Sequence, residues 1–320
     1  IAMDHDLSTD ELMQQIEHIR AKLLRARNER VRPHKDDKVL TDWNGLMIAA
    51  LARAGRLLDD DGYRKRAQKA ADFVLAHMRK ADGRLWHRFR KGQAGIEGQL
   101  DDYAFFIFGL LELYQATFQP SYLQAAVELQ GQQDDHFWDG ERHGYYLTPH
   151  DGESLLVRQK EVYDGAIPAG NSLALLNLLQ LGRISADSRY DQRAAQLSEA
   201  FAHNVSRAPL GHTFFLLGHD YAMGPAYELV IAGQSAAPDT HKLRRAAERV
   251  FLPNKVLLFS PTGTGAADST ALLAHLKDYS PIEGRATAYV CRNYSCKLPV
   301  HGDGELIRLL REEAQSEALH

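Results

Sequence analysis

Residues 36–55 read DDKVLTDWNGLMIAALARAG. A polar cluster, Asp42-Trp43-Asn44, runs directly into a stretch with almost no hydrophilic face. A helix that is apolar nearly all round is buried on every side, so residues 45–54 are expected to form an inner helix. The polar cluster then lies where a helix starts, at backbone N–H groups that lack intrahelical partners and carry partial positive charge. Either these side chains cap the helix or they do chemistry at its mouth.

Two more stretches repeat the pattern: 103–114 (YAFFIFGLLELY) and 172–181 (SLALLNLLQL). Each apolar helix is followed by an amphipathic one that opens on tyrosine. Tyr63, Ala67, Ala70, Val74 and Met78 match Tyr122, Ala126, Leu129, Gln133 and Phe137, and then Tyr190, Ala194, Leu197, Phe201 and Val205. The offsets are those of a single helical stripe. After each comes a short glycine-aromatic segment, DGRLWHRF, RHGYYLT or GHTFFLL, which reads as a small β-hairpin. Residues 8–30 supply an earlier helix, with Ser8/Thr9 and Glu11 as a capping start.

Buried helices alternating with half-buried ones are what an inner and an outer ring require. The expected fold is mainly α, an (α/α) toroid of helical hairpins over residues 1–225. A flat α-solenoid fits less well, because its helices keep one wet face. Residues 226–320 are expected to form a small C-terminal α/β segment: strand 227–233, a polar helix at 239–250, strand 255–260, a strand within 286–296, and a last helix. The GTGAADS stretch at 263–269 lacks the GxxxxGK[ST] pattern of a phosphate loop and reads as a flexible connection.

The net charge of −4, with 44% hydrophobic and 25% charged residues, describes an ordinary globular chain. It gives no basic face for nucleic acid. No apolar run is long enough to span a membrane, and no leader pattern opens the chain. The first residue is Ile rather than Met, as in a fragment of a longer protein. Two cysteines, Cys291 and Cys296, exclude a disulfide scaffold and suit a reducing cytoplasm. Five apart on one regular strand they would face opposite ways, so buried thiols are expected.

In a ring of hairpins the inner helices run the same way, and their N-termini gather at one end. Asp37, Asp102 and Asp164 are the catalytic candidates there. His34, Lys38, Trp43, Asn44, Tyr103 and Asn171 are the candidates for holding a substrate. Asp42, Asp102 and Asn171 also stand where N-caps belong, and such a cap stabilises a helix by ~1 kcal/mol without any further role. The pairs Asp36/Asp37 and Asp101/Asp102 exceed what capping needs, and two carboxylates in one pocket can serve as acid and base on a glycosidic bond. Trp43 and Tyr103 could stack on sugar rings or close the core. No histidine spacing suggests a metal site; His34 alone is placed near the mouth, and His143 and His212 read as structural.

RPHKDDKVLTDWNGLMIAALARAG, LDDYAFFIFGLLELYQAT, DGAIPAGNSLALLNLL and AYVCRNYSCKLPV, in that order, resemble the C-terminal half of the spermatogenesis-associated family of thioredoxin-domain proteins. The resemblance implies a six-hairpin (α/α) region similar to N-acylglucosamine 2-epimerases and six-hairpin glycosidases. It carries position rather than catalytic role to Asp37, Lys38, Trp43, Asn44, Asp102, Tyr103, Asp164, Gly165, Pro168, Gly170 and Asn171. The thioredoxin-like domain and its CxxC are missing from this chain. About seven or eight helices are countable, so the expected ring is incomplete. The functional expectation is a carbohydrate-binding or carbohydrate-modifying domain acting on a small sugar, with no cofactor. A non-catalytic scaffold partnering a redox domain is the alternative, and a thiol enzyme using Cys291 or Cys296 is the third.

Overall fold

Helix α1 (Thr9–Asn28) starts where its sequence says it should. Ser8 accepts the Glu11 N–H while the Glu11 carboxylate accepts the Ser8 N–H, a reciprocal capping box. None of its residues is buried. This helix and the extended residues after it form one compact unit, Ile1–Lys38, and Val39–His320 forms another. The computed structural model describes residues 6–262, 271–292 and 295–317.

The second unit is built on three helical hairpins: α2 (Thr41–Leu57) with α3 (Asp61–His77), α4 (Leu100–Thr117) with α5 (Pro120–Phe137), and α6 (Gly170–Ser185) with α7 (Ser188–Arg207). The inner helices are α2, α4 and α6. All of α4 but Asp101 and Thr117 is buried, and all of α6 but Arg183 and Ser185. The outer helices bury the stripe that their spacing predicts: Ala67 and Val74 on α3, Ala126, Leu129 and Phe137 on α5, and Ala194, Leu197, Phe201 and Val205 on α7. The fold is thus a mainly α, hairpin-built (α/α) toroid type with a small C-terminal α/β segment, and its hairpins make an incomplete ring among the described residues.

Helix α2 departs from expectation. It buries one stripe, Thr41, Asp42, Gly45, Ile48, Ala49, Ala52 and Gly55, and leaves Met47 and Leu57 exposed. As the first inner helix of this unit, it has an inner neighbour on one side only. That stripe of small residues lets its backbone approach α4 closely. A Cβ on Gly109 would lie 2.6 Å from the Gly45 carbonyl oxygen, and a Cβ on Gly45 would strike the Phe105 backbone. Deeper along the same seam, Glu112 of α4 pairs with Arg53 (2.7 Å) and Arg56 (3.3 Å) of α2.

The three glycine-aromatic segments diverge. The first is a true hairpin: β1 (Val39–Leu40), β2 (Trp86–Arg90) and β3 (Gln93–Glu97) form an antiparallel sheet in that order. The second makes a single bridge, Trp138 to Tyr145. The third is not extended; Thr213–Met223 is helix α8. Its buried residues, Phe215, Gly218 and Tyr221, recur every three positions, which a strand cannot place on one face.

In the C-terminal segment β4 (Tyr227–Gly233) pairs in parallel with β5 (Lys255–Pro261), joined by α9 (Pro238–Glu248). β6 (Thr287–Arg292) runs antiparallel on the other side of β4 and is followed by β7 (Ser295–Cys296) and by α10 (Asp303–Glu317). Alternation along the strands divides the sheet's two faces. Val230, Val256 and Leu258 join the core of the helical hairpins, while Leu229, Ile231, Leu257 and Phe259 pack with α9 and α10. The helical and sheet parts on either side of residue 225 share one core. The stretch 263–269 lies outside the described residues.

The cysteines correct the expectation of buried thiols. β6 and β7 pair antiparallel, so Cys291 and Cys296 are cross-strand partners rather than residues of one strand, and they form a disulfide.

Candidate active site

The N-terminal ends of α2, α4 and α6 adjoin, and a carboxylate stands at each junction. Between α2 and α4 it is Asp102. Its Oδ1 accepts the Asp42 N–H at 3.1 Å and its Oδ2 accepts the Gln99 N–H at 2.8 Å. Between α4 and α6 it is Asp101, whose Oδ1 lies against Gly170, where any Cβ would collide with it. Anionic groups are favoured at helix starts, and Asp102, with its two backbone N–H groups, fills that role for α2 and α4. Neither is the N-cap residue itself, nor are Asp42 and Asn171. All four lie within the first turn, behind Leu40, Gln99 and Ala169.

Into the first junction the β-sheet inserts a histidine. β1 precedes α2 directly and pairs with β2 in the register Leu40↔Arg88. The Thr41 hydroxyl donates to the Trp86 carbonyl at 2.5 Å and fixes that register. His87 is thereby held with Nδ1 at 3.0 and 3.1 Å from the two Asp102 oxygens. A carboxylate already receiving two backbone N–H groups is an acceptor, so Nδ1 carries the hydrogen and a neutral ring has its lone pair on Nε2. The side chain is 28% exposed.

The surroundings tune these groups in definite directions. The hydrogen bond to Asp102 raises the His87 pKa above its ordinary 6.5; burial opposes this, and the charges of Asp102 and Asp42 add to it. Burial and the Asp102 charge raise Asp42. Asp101 is pushed up to about 7, first by burial and then by the negative charges of Asp102, Asp42 and Glu161. Its Oδ1 is buried without a well-formed hydrogen bond. Perturbation by desolvation plus specific charge partners makes such groups candidates for a functional site.

The other candidates are placed differently. Trp43 is 60% exposed, directly after Asp42. Asn44 donates to the Leu40 carbonyl at 2.7 Å, back across the helix start. Tyr103 is buried, its hydroxyl accepting the Leu85 N–H, and burial pushes its pKa up to about 12. Asn171 is buried and bonds both ways to the Tyr145 backbone, at 2.9 Å each. Asp164 spends both oxygens on backbone N–H groups, those of Ala169, Phe214 and Phe215 at 2.8–3.1 Å, and so caps α8 from a distance. His34, Asp37 and Lys38 are exposed in the extended stretch of the unit Ile1–Lys38, where the Lys38 ammonium meets Asp36 at 2.9 Å. His143 stacks on Trp138, and buried His212 bonds to the Ala208 carbonyl.

Asp42, His87 and Asp102 each present a ligand atom within 4.8 Å of the others. Part of that set is already engaged, since Asp42 Oδ1 accepts the Trp43 N–H at 2.7 Å and both Asp102 oxygens are taken, while a neutral His87 ring keeps its lone pair on Nε2. The constellation suits proton transfer better than metal coordination. At a second such group, His136, His150 and Asp151, the Arg84 guanidinium already sits 2.9 Å from Asp151. Sequence reasoning missed His87 because it was counted as part of a hairpin. The visible signal was a histidine inside the segment that follows the first amphipathic helix.

No family model matches the chain. Human spermatogenesis-associated protein 20 is 34% identical over 299 residues, which is 90% of this chain and 38% of that protein. A cellobiose 2-epimerase from Bacteroides fragilis is 23% identical over 56% of this chain and 47% of its own length. Among solved structures, a cellobiose 2-epimerase from Bacillus thermoamylovorans superimposes with a TM-score of 0.45 at 20% identity, covering 53% of this chain and 46% of that one. The match spans 38% of the human protein and 47% of the B. fragilis epimerase, less than half of either. Over nine-tenths of its own residues, it is a homologue of spermatogenesis-associated protein 20.

Proposed function

We propose that Val39–His320 is a carbohydrate-modifying domain that moves a proton at a carbon next to a sugar carbonyl, with His87 as the base. The observation that carries this reading is the imidazole held 3.0 and 3.1 Å from both oxygens of Asp102 at a partly open junction. A base for such a step works best with a pKa near the working pH, and a histidine raised by its carboxylate partner meets that need. Asp102 positions the ring and stabilises its cationic form, while Nε2 is the atom that would take the proton. The exposed indole of Trp43 offers an apolar face on which a sugar ring can stack. Sequence similarity to a cellobiose 2-epimerase supports the substrate class.

A glycosidase-type reaction has less support. Glycosidase carboxyls stand ~5–5.5 or ~6.5–9.5 Å apart with the scissile bond between them. Here Asp102 is committed to two backbone N–H groups and to the His87 ring, which suits it to positioning the imidazole better than to giving a proton to a glycosidic oxygen.

The experiment is proton NMR of reducing mono- and disaccharides incubated with the protein in D2O. Deuterium should enter at the carbon beside the carbonyl of at least one sugar, and His87→Gln should abolish it. No exchange across the panel, together with unchanged tryptophan fluorescence, would sink the proposal and favour a scaffold without catalysis.

A further inference from the structure

At the other end of α2 lies a feature unrelated to the chemistry above. Asp42 and Arg56 are fourteen residues apart on one helix, or about 21 Å at ~1.5 Å per residue. There the last turns of α2 and α4, the first turn of α3 and one face of α9 enclose a cleft of about 550 Å³. Six basic side chains line it, Arg56, Arg64, Lys65, Lys242, Arg244 and Arg245, against the carboxylates of Asp59, Asp61 and Glu248.

Those three carboxylates are already committed. Asp61 pairs with Arg64 at 2.6 Å, Asp59 with Arg245 at 3.2 Å, and Glu248 with Arg56 at 3.0 Å. Arg244 has no carboxylate within ion-pair distance among the described residues. Its guanidinium lies over the Phe118 ring, 4.5 Å from the centroid, and makes one long hydrogen bond of 3.4 Å to the Ala116 carbonyl. Burial and the like charge of Arg64 both lower its pKa.

A structural explanation exists for part of this. Cations are favoured at helix C-termini by ~0.3–1 kcal/mol, and Arg64 and Arg244 each donate to a terminal carbonyl, Gly55 and Ala116. One N–H apiece satisfies that need. It does not account for a half-buried guanidinium with its remaining donors unmatched, set in a concavity with twice as many cations as anions. Guanidinium forks match phosphoryl oxygens in geometry and charge.

We propose that this cleft binds a compact, multiply charged anion, a phosphorylated small molecule, with Arg244 as its central ligand and Lys65 and Lys242 at its rim. The assignment is independent of the sugar chemistry at His87. Isothermal titration with inorganic phosphate and with pyrophosphate, at an ionic strength held constant with sodium chloride, tests it. Saturable binding is expected for the intact chain, with pyrophosphate tighter than phosphate. Arg244→Gln should weaken it at least tenfold in a protein whose circular dichroism is unchanged. Should that variant fold poorly, the exposed pair Lys65→Gln/Lys242→Gln should still weaken binding several-fold. Absence of saturable heat in the intact protein, or unchanged affinity in a folded variant, overturns the assignment.

Discussion

Asp102 serves two helix starts and one imidazole with two oxygens, and its loss should be read through His87. The carboxylate raises the His87 pKa, so the rate of proton abstraction should climb with pH through a value above 6.5, as the ring loses its proton. Asp102→Asn removes the negative charge and should move that rising limb to lower pH while reducing the rate; a pH–rate profile of both proteins checks this. Asp101 gives the opposite kind of test, on stability. Its folded-state pKa of about 7 exceeds the ordinary 3.8, so the folded protein holds a proton that the unfolded chain has already released. The stability that this one group contributes is therefore fullest below about pH 4 and is lost as pH rises through about 7. Three units correspond to about 4 kcal/mol, so Asp101→Asn should stabilise by about 2–4 kcal/mol at pH 8 and by little at pH 4. Urea unfolding at the two values measures the difference. A group that weakens the fold at neutral pH is a candidate for use, which the mutant's exchange activity would reveal.

Among the elements, the seam between α2 and α4 is set by what is missing from it. Ala in place of Gly inside a helix normally adds ~1 kcal/mol. At Gly109 the new methyl would lie 2.6 Å from a backbone oxygen that cannot swing aside, and overpacking of this kind costs ~1–3 kcal/mol. Gly109→Ala should therefore destabilise, by up to about 2 kcal/mol in chemical denaturation. It should also lower the His87 pKa measured by NMR, as the two helix starts move apart. The outer helices were legible in the sequence because periodicity is local: five apolar positions at fixed offsets suffice. α4 and α6 were legible because they lack a polar face. α2 looked the same by composition, but its burial depends on neighbours that composition does not report. The segment GHTFFLL was read from its aromatic content, whereas the spacing of Phe215, Gly218 and Tyr221 held the helical signal. His87 and the Cys291–Cys296 pair were hidden for another reason. Both depend on strand register, β1 against β2 and β6 against β7, which arises between segments rather than within one.

At the scale of the whole molecule, repeats suggest separable pieces, but the core does not respect them. Val230, Val256 and Leu258 of the sheet belong to the same cluster as Phe105, Leu111 and Leu178 of the inner helices. Val39–His320 should accordingly melt in a single calorimetric transition with equal calorimetric and van't Hoff enthalpies; two resolved transitions split near residue 225 would show that the shared core is not cooperative. α4 has neighbours on both flanks and meets each with a carboxylate from consecutive positions, Asp101 and Asp102. It is the keystone of the arch. A piece cut out at either flank would take away the helix start that one of these carboxylates faces, so the pattern is modular in its letters while the matter it builds cannot be divided there without loss.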